Sequence, residues 1–360
     1  MTSPKRVILS GMRPTGKLHL GNYVGALANW VKLQNEPHTQ CYFMVADWHA
    51  LTTDYEDPSS FESNIEEMVL DWLSAGIDPN KSVIFRQSWV QEHAELSLIL
   101  SMITPISWLE RNPTFKEQVV ELKDKEISTH GFLGYPVLQA ADILLYRATH
   151  VPVGEDQLPH LELTREIARR FNFLYKEKGR SPKATDPENE TTFVEPKAIL
   201  SHAPKVPGTD ARKMSKSYGN CVYLSDSDDA LKMKINSMFT DPKKIKAADR
   251  GHPRPSPENP SGCVVFALHH VLGEPPSELE AREKSCMGGT LGCVPCKASL
   301  LARMSQVLKP MRERRVRAEK DHGLIQKILA EGSLRASRSA SLTLARVLNK
   351  IGLPRMQAAT

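Results

Sequence analysis

The sequence predicts an α/β fold on a parallel sheet, followed by an all-helical C-terminal region. Two observations carry this. In the first half, short apolar runs alternate with helix-length segments, the pattern of strands joined by crossover helices. Beyond a proline-bearing connector the strand signals stop, and apolar residues recur only at helical spacing. The break falls near residue 225, giving a first domain over 1–225 and a helical one over 226–360.

Residues 5–10 read as a buried first strand that ends in the turn Gly11-Met12-Arg13-Pro14-Thr15-Gly16. Residues 19–34 read as a helix, with Leu20, Val24, Leu27 and Val31 at helical spacing. Residues 41–46 and 82–85 look like further strands, separated by a helix over 60–75. A strongly apolar helix is predicted over 135–147 and an amphipathic one over 158–171. The polar stretch 176–196 reads as a surface loop. Residues 241–260, with five prolines, read as an irregular connector. Leu300, Leu301, Met304, Val307, Leu308 and Met311 then form one helix stripe, and Leu342, Leu344, Ala345, Val347 and Leu348 mark a last helix.

Bulk properties narrow the function. With 40% hydrophobic and 25% charged residues the composition is that of an ordinary soluble protein. The polar start, the short apolar run Val7-Ile8-Leu9 and the absence of a membrane-length stretch predict a cytoplasmic protein with no membrane role. Residues 311–360 hold 11 Lys or Arg against 4 Asp or Glu, a net +7; the chain is +5 overall, so residues 1–310 sum to −2. A basic end on a neutral body suggests a polyanion partner such as nucleic acid, with Arg312, Arg314, Arg315 and Arg317 as residues that could track a backbone.

Two separated segments carry the chemistry. Gly11-x4-Gly16-Lys17 after a strand nearly spells a P-loop, but the next residue is Leu18, where a Ser or Thr would hold magnesium. No dinucleotide-binding glycine pattern follows any strand. His19 instead opens a helix with Gly21 and Asn22 just inside it, and a helix N-terminus favours phosphate. His19 and Asn22, three apart, can face one bound group. Gly21 leaves room for a flat base. Lys213 and Lys216 in Lys213-Met214-Ser215-Lys216-Ser217 can bring two ammonium groups to the same triphosphate.

Taken together these segments resemble the two signatures of class I aminoacyl-tRNA synthetases: His19-Leu20-Gly21-Asn22 matches HIGH with Asn22 at its last position, as in the tryptophan and tyrosine branch, and Lys213–Ser217 matches KMSKS without departure. The resemblance implies a Rossmann-like catalytic domain followed by a helical anticodon-binding one, and formation of aminoacyl-adenylate from an amino acid and Mg-ATP. It makes His19, Asn22, Lys213 and Lys216 catalytic. It places ATP against Arg13, Pro14, Thr15, Gly21, Gly154, Glu155, Asp156, Val206 and the Lys213–Ser217 loop.

Three further segments resemble the tryptophanyl members: Ala46-Asp47-Trp48-His49-Ala50-Leu51-Thr52, the run from Tyr135 to Tyr146, and Val151-Pro152-Val153-Gly154-Glu155-Asp156-Gln157. The likeness runs from about residue 6 to 225 and more weakly beyond. By it, Asp142 accepts the indole N–H, while Gly11, His49, Tyr135, Gln139 and Gln157 hold or wall the amino acid. On the residues alone, Tyr135, Gln139 and Asp142 share a helix face, and a carboxylate accepts from indole and phenol alike. By the resemblance, Gln139 is also what tyrosyl enzymes carry, while Val153–Gln157 is similar to the tryptophan branch and Leu9 stands where tyrosyl enzymes present a Tyr. The reading is a tryptophan–tRNA ligase acting on tRNA(Trp), with a tyrosyl enzyme as its close rival. A non-charging RNA-binding or iron–sulfur sensing relative is the rival of another class.

Cys263, Cys286, Cys293 and Cys296 have 22, 6 and 2 residues between them. A Cys-x2-Cys pair plus two more thiols suits zinc or an iron–sulfur cluster, and spacing does not separate the two. Resemblance to a subset of tryptophanyl synthetases implies a 4Fe–4S cluster with a structural role, and a homodimer. Cys41 reads as core, and Cys221 carries no assignment.

Overall fold

The structure, a computed structural model, describes residues 6–113, 129–176, 191–200 and 205–354. Most of the predicted loop 176–196 (residues 177–190) lies outside the described residues. Five strands, β1 (Arg6–Met12), β2 (Thr39–Val45), β3 (Ser82–Arg86), β4 (His150–Val153) and β5 (Lys197–Leu200), form one sheet in the order β3-β2-β1-β4-β5. All pairings are parallel. The predicted α/β class therefore holds. Both faces are covered, so Ile8, Leu9 and Ser10 are all buried and β1 reads as a continuous run, not an alternation. The sheet grows to one side through β2 and to the other through β4. That reversal leaves a crevice at the carboxyl ends of β1 and β4, where open α/β sheets bind ligands.

The predicted first helix is present in extent but not in form. It comprises α1 (Leu20–Asn22), a π-helical turn (Tyr23–Leu27) and α2 (Ala28–Gln34). α3 (Asp47–Asp54) follows β2 and had no expectation. α4 (Phe61–Ala75) matches its predicted span and ends at Gly76, whose φ of 110° suits only glycine. α5 (Glu92–Ser101) and α6 (Ile106–Glu110) follow β3.

α7 (His130–Leu145) starts five residues before its predicted span. Thr129 explains the early start: its side chain accepts Phe132 N–H at 3.1 Å, an N-cap that outweighs Gly131, Gly134 and the early Pro136. Arg147, at φ 51°, ends the segment and donates to the carbonyls of Thr191 and Thr192. α8 (Leu158–Leu174) carries Pro159 in its first turn, where no hydrogen bond is lost.

After α9 (Asp228–Ser237), residues 241–260 contain no helix or strand, as the prolines predict. They are fixed nonetheless: Asp241 accepts from His252 N and Nδ1, and Asn259 donates to His252 O. Four helices complete the described chain: α10 (Val264–Val271), α11 (Pro276–Met287), α12 (Cys293–Glu319) and α13 (Leu324–Ile351).

The last two helices return to the α/β layers. α12 packs on α4 and α13 on β3, so one core joins Ile8 and Phe43 to Leu300, Met304 and Leu308. A Cβ at Gly332 would overlap the Ile84 carbonyl, so glycine alone permits this approach. Ser333 on α13 accepts Arg86 N–H, covering the open edge of β3. Among the described residues no helix is long and apolar enough to cross a membrane.

Candidate active site

A cavity of about 560 Å³ opens at the carboxyl ends of β1 and β4. Its wall brings together all six residues expected to hold the amino acid: Gly11, His49, Tyr135, Gln139, Asp142 and Gln157. Arg13 and Gly154 from the expected nucleotide set join the same wall. Gly11 sits at the end of β1, where a Cβ would stand 3.2 Å from the Met44 methyl. The π turn contributes Gly25 and Ala26, a widening of the helix of the kind found at functional sites.

Asp142 is 1% exposed, and partners crowd its carboxylate. Oδ2 meets His49 Nε2 at 2.8 Å, Oδ1 meets His93 Nδ1 at 2.6 Å, and Gln87 Nε2 lies 3.0 Å from both oxygens. Burial alone would raise its pKa; the hydrogen bonds and charge of the two histidines hold it down at about 2. The group is an anionic acceptor at neutral pH. Tyr146 in turn meets His93 Nε2 at 2.8 Å. A second chain starts from the same helix, Tyr135 Oη to His160 Nε2 at 2.8 Å and His160 Nδ1 to Asn112 Nδ2 at 3.2 Å. Burial pushes His160 down to about 4, so its imidazole is neutral.

Gln87, His93, Tyr146, His160 and Asn112 were not anticipated. Gln87 follows β3 directly, so its place at a strand's carboxyl end was a usable signal. His93 and His160 sit on helices whose inward face only the fold reveals.

The nucleotide loop and the lysine loop meet beside this cavity. His19 N–H donates to Asn22 Oδ1 at 3.0 Å, so Asn22 caps the helix start while facing the same side. A Cβ at Gly21 would lie 2.9 Å from the His19 ring and 3.9 Å from Val206, so glycine lets the imidazole lie over the first turn. His19 Nδ1 is buried without a protein partner. Burial first, then the Lys216 charge, lowers its pKa to about 4, leaving a neutral ring with an unsatisfied nitrogen. Gly16, at φ 79°, turns the loop.

Lys216 reaches across from its own loop to Thr15, bonding the carbonyl and, at 3.3 Å, the hydroxyl. Its pKa is lowered, by burial above all. The loop is pinned by Met214 N–H on Val206 O at 3.1 Å and by Asn220, whose side chain binds Ser215 N, Lys213 O and Asp210. Asn220 is 2% exposed and was also missed. Lys213 and Ser217 are exposed, and Met214 is buried. Glu155 and Asp156 are exposed, and neither they nor Pro14 belong to the cavity wall.

Cys263, Cys286, Cys293 and Cys296 line a second cavity together with Arg282. They come from the start of α10, the last turn of α11 and the first turn of α12. Burial pushes the Cys263 thiol up to about 11. All four are free of disulfides. Among the described residues no three His, Cys, Asp or Glu side chains are arranged to hold a metal ion. Cys41 is fully buried in the core, as expected.

The basic C-terminal run needs correction. Arg312 pairs with Asp228, Arg314 donates to Ser74 O, and Arg315 is buried on Asp71 and Glu67. Three of the four arginines suggested for an RNA backbone are tied to the protein itself; Arg317 is exposed.

Comparison with known proteins fits this geometry. Residues 2–309 match the family model of tRNA synthetases class I (W and Y). A tryptophan–tRNA ligase of Thermotoga maritima is 49% identical over 96% of this chain and 99% of its own length. One of Aquifex aeolicus is 42% identical over 96% of this chain and all of its own. A crystal structure of the Campylobacter jejuni tryptophanyl-tRNA synthetase complexed with ADP and tryptophan superposes with a TM-score of 0.78 at 33% identity, covering 96% of this chain and 100% of that one. The chain belongs to the class I tRNA synthetases for tryptophan and tyrosine, and within them to the tryptophan–tRNA ligases.

Proposed function

We propose that the cavity below β1 and β4 binds L-tryptophan, and that the His19 and Lys216 loops bind ATP across its mouth. The observation that carries this reading is the single wall formed by Gly11, His49, Tyr135, Gln139, Asp142 and Gln157 beside Arg13 and Gly154. The volume suits an amino acid with part of a nucleotide. Asp142 accepts the indole N–H; Tyr135, Gln157 and His49 orient the ammonium and carboxylate ends.

A carboxylate oxygen of tryptophan attacks the α-phosphorus of ATP. A C–O–P bond forms, the bond to the bridging oxygen breaks, and pyrophosphate leaves. The enzyme's part is positioning and charge stabilisation. His19 is neutral and offers its unsatisfied nitrogen to the phosphates or their ribose. Lys213 and Lys216 neutralise the leaving pyrophosphate, with Lys216 exchanging Thr15 for phosphate oxygens. Asn22 holds the helix start, while Pro14, Thr15, Gly21, Gly154, Glu155, Asp156, Val206, Met214, Ser215 and Ser217 frame the nucleotide. Mg2+ arriving with ATP would supply further charge neutralisation to the leaving pyrophosphate. The terminal 2′-hydroxyl of tRNA(Trp) then attacks the carbonyl carbon of the adenylate; the ester C–O bond forms, the anhydride bond to the phosphate oxygen breaks, and AMP leaves.

Cys263, Cys286, Cys293 and Cys296 would hold a 4Fe–4S cluster, with zinc as the alternative. Their common cavity, which Gly292 also lines, supports this; between Cys286 and Cys293 the chain turns at Gly289, whose φ is 74° and where a Cβ would overlap the Ala248 carbonyl. The cluster would serve as a structural tie between α10, α11 and α12. A second copy of the chain covers apolar surface such as Leu98, Met102 and Ile106, which are 60%, 75% and 63% exposed, in a homodimer. The residue assignment is tested by tryptophan-dependent pyrophosphate exchange in Gln157→Ala and Tyr135→Phe. A raised KM for tryptophan with an unchanged KM for ATP is expected; wild-type values in both would overturn it.

A further inference from the structure

A carboxylate with no accessible surface stands between the nucleotide loop and the C-terminal helices. Asp71 lies on the core face of α4, 0% exposed, among Met68, Val69 and Trp72. A charge there is costly unless paired and hydrogen-bonded. Its two oxygens are divided between two partners far apart in sequence. Oδ2 accepts Leu18 N–H at 2.6 Å, and Oδ1 accepts Arg315 Nη1 of α12 at 2.6 Å. Arg315 is itself buried, with Nη2 on Glu67 at 2.6 Å and Nε on Glu319 at 2.8 Å. Burial would lower its pKa; Asp71 and Glu67 more than offset this and keep the guanidinium charged.

Leu18 N–H is the amide immediately before that of His19. The strip around it is otherwise held by the segment after the lysine loop: Leu224 N–H donates to Leu18 O at 3.0 Å and Leu20 N–H to Val222 O at 2.8 Å. Asp71 supplies the grip from the other side. Arg314, next to Arg315, donates to Ser74 O of α4 at 2.7 Å, so α12 holds α4 at two consecutive residues. α12 has 27 residues, about 40 Å at 1.5 Å each, and begins at Cys293 and Cys296.

We propose that Asp71 and Arg315 are positioning residues for adenylation: the pair sets the Leu18–His19 backbone and transmits the placement of α12 to the nucleotide site. The inference rests on His19 being a nucleotide-binding residue. It predicts that loosening the pair harms ATP use and spares tryptophan use.

The test is pyrophosphate exchange, with ATP and tryptophan varied separately and rates normalised to titrated active sites. The variants are Arg315→Met, Asp71→Asn, Glu67→Gln, His19→Ala and the double variant Asp71→Asn/His19→Ala. Arg315→Met and Asp71→Asn should lose on the order of 10- to 100-fold in kcat/KM for ATP, the usual cost of an ångström-scale displacement, while KM for tryptophan holds. The double variant should be little worse than His19→Ala alone, since both act through one group. Glu67→Gln loosens Arg315 at Nη2 and leaves its contact with Asp71 in place. It should show a smaller loss in the same direction even where the other two fail to fold. A merely structural role would lower the melting temperature and the titrated fraction, with kcat/KM for ATP unchanged per active site; that result, or additive losses in the double variant, overturns the proposal. Full activity in His19→Ala would remove the nucleotide reading, and the proposal with it. Impaired His19→Ala beside unimpaired Asp71, Arg315 and Glu67 variants would overturn the proposal alone.

Discussion

Replacing Asp142 should separate binding from folding. The carboxylate accepts from Gln87, His93 and His49, and the first two are fully buried. Asp142→Ala orphans those two buried donors at about 1–3 kcal/mol each, a stability loss of about 2–6 kcal/mol; His49, which lines the cavity, can take water. Asp142→Asn keeps the volume and one acceptor oxygen, and should lose about 1–3 kcal/mol. Both remove the charged acceptor for the indole N–H. A hydrogen bond to a charged group contributes about 1.5–3 kcal/mol, so kcat/KM for tryptophan should fall roughly 10- to 150-fold, with KM for ATP unchanged. Thermal unfolding and pyrophosphate exchange on Asp142→Asn measure the two effects. A stability loss with wild-type KM for tryptophan would refute the indole role and leave Asp142 a core-organising residue only.

Three further outcomes are expected. His19→Ala and Lys216→Ala should each reduce the adenylation rate by about 10²–10³, the usual loss for one transition-state donor, measured by pyrophosphate exchange. Stability should fall as pH drops from 6.5 toward 4: buried His160 stays neutral down to about 4, while the unfolded chain takes up its proton near 6.5. The loss is about 1.4 kcal/mol per pH unit within that window and nothing more below it, so a His160→Gln melting series should show a shallower pH slope. Anaerobically purified protein should contain about four irons per chain and lose them in Cys293→Ser; stoichiometric zinc instead would replace the cluster assignment.

The catalytic half was legible because its signals are local. β1, β2, β3 and α4 follow from apolar runs and spacing, and the His19 and Lys216 loops from short motifs. β4 and β5 were not foreseen, since four residues carry little pattern and Pro152 argues against a strand. The Asp142 surroundings were half legible: Tyr135, Gln139 and Asp142 share a visible helix face, whereas His93 and His160 reach the cavity only through tertiary packing. The basic C-terminal run misled for the same reason. Composition counts Arg312, Arg314 and Arg315 as surface charge, but Asp228, Ser74 and Asp71 lie 84 to 244 residues away and claim them.

The most direct test of the account is pyrophosphate exchange by the wild-type chain with tryptophan, with tyrosine and with no amino acid. Rapid exchange with tryptophan, and background rates with tyrosine or without amino acid, is the predicted result. Exchange driven equally by tyrosine would contradict the reading of the Asp142 cavity, and ATP turnover without any amino acid would contradict adenylate chemistry at the His19 and Lys216 loops.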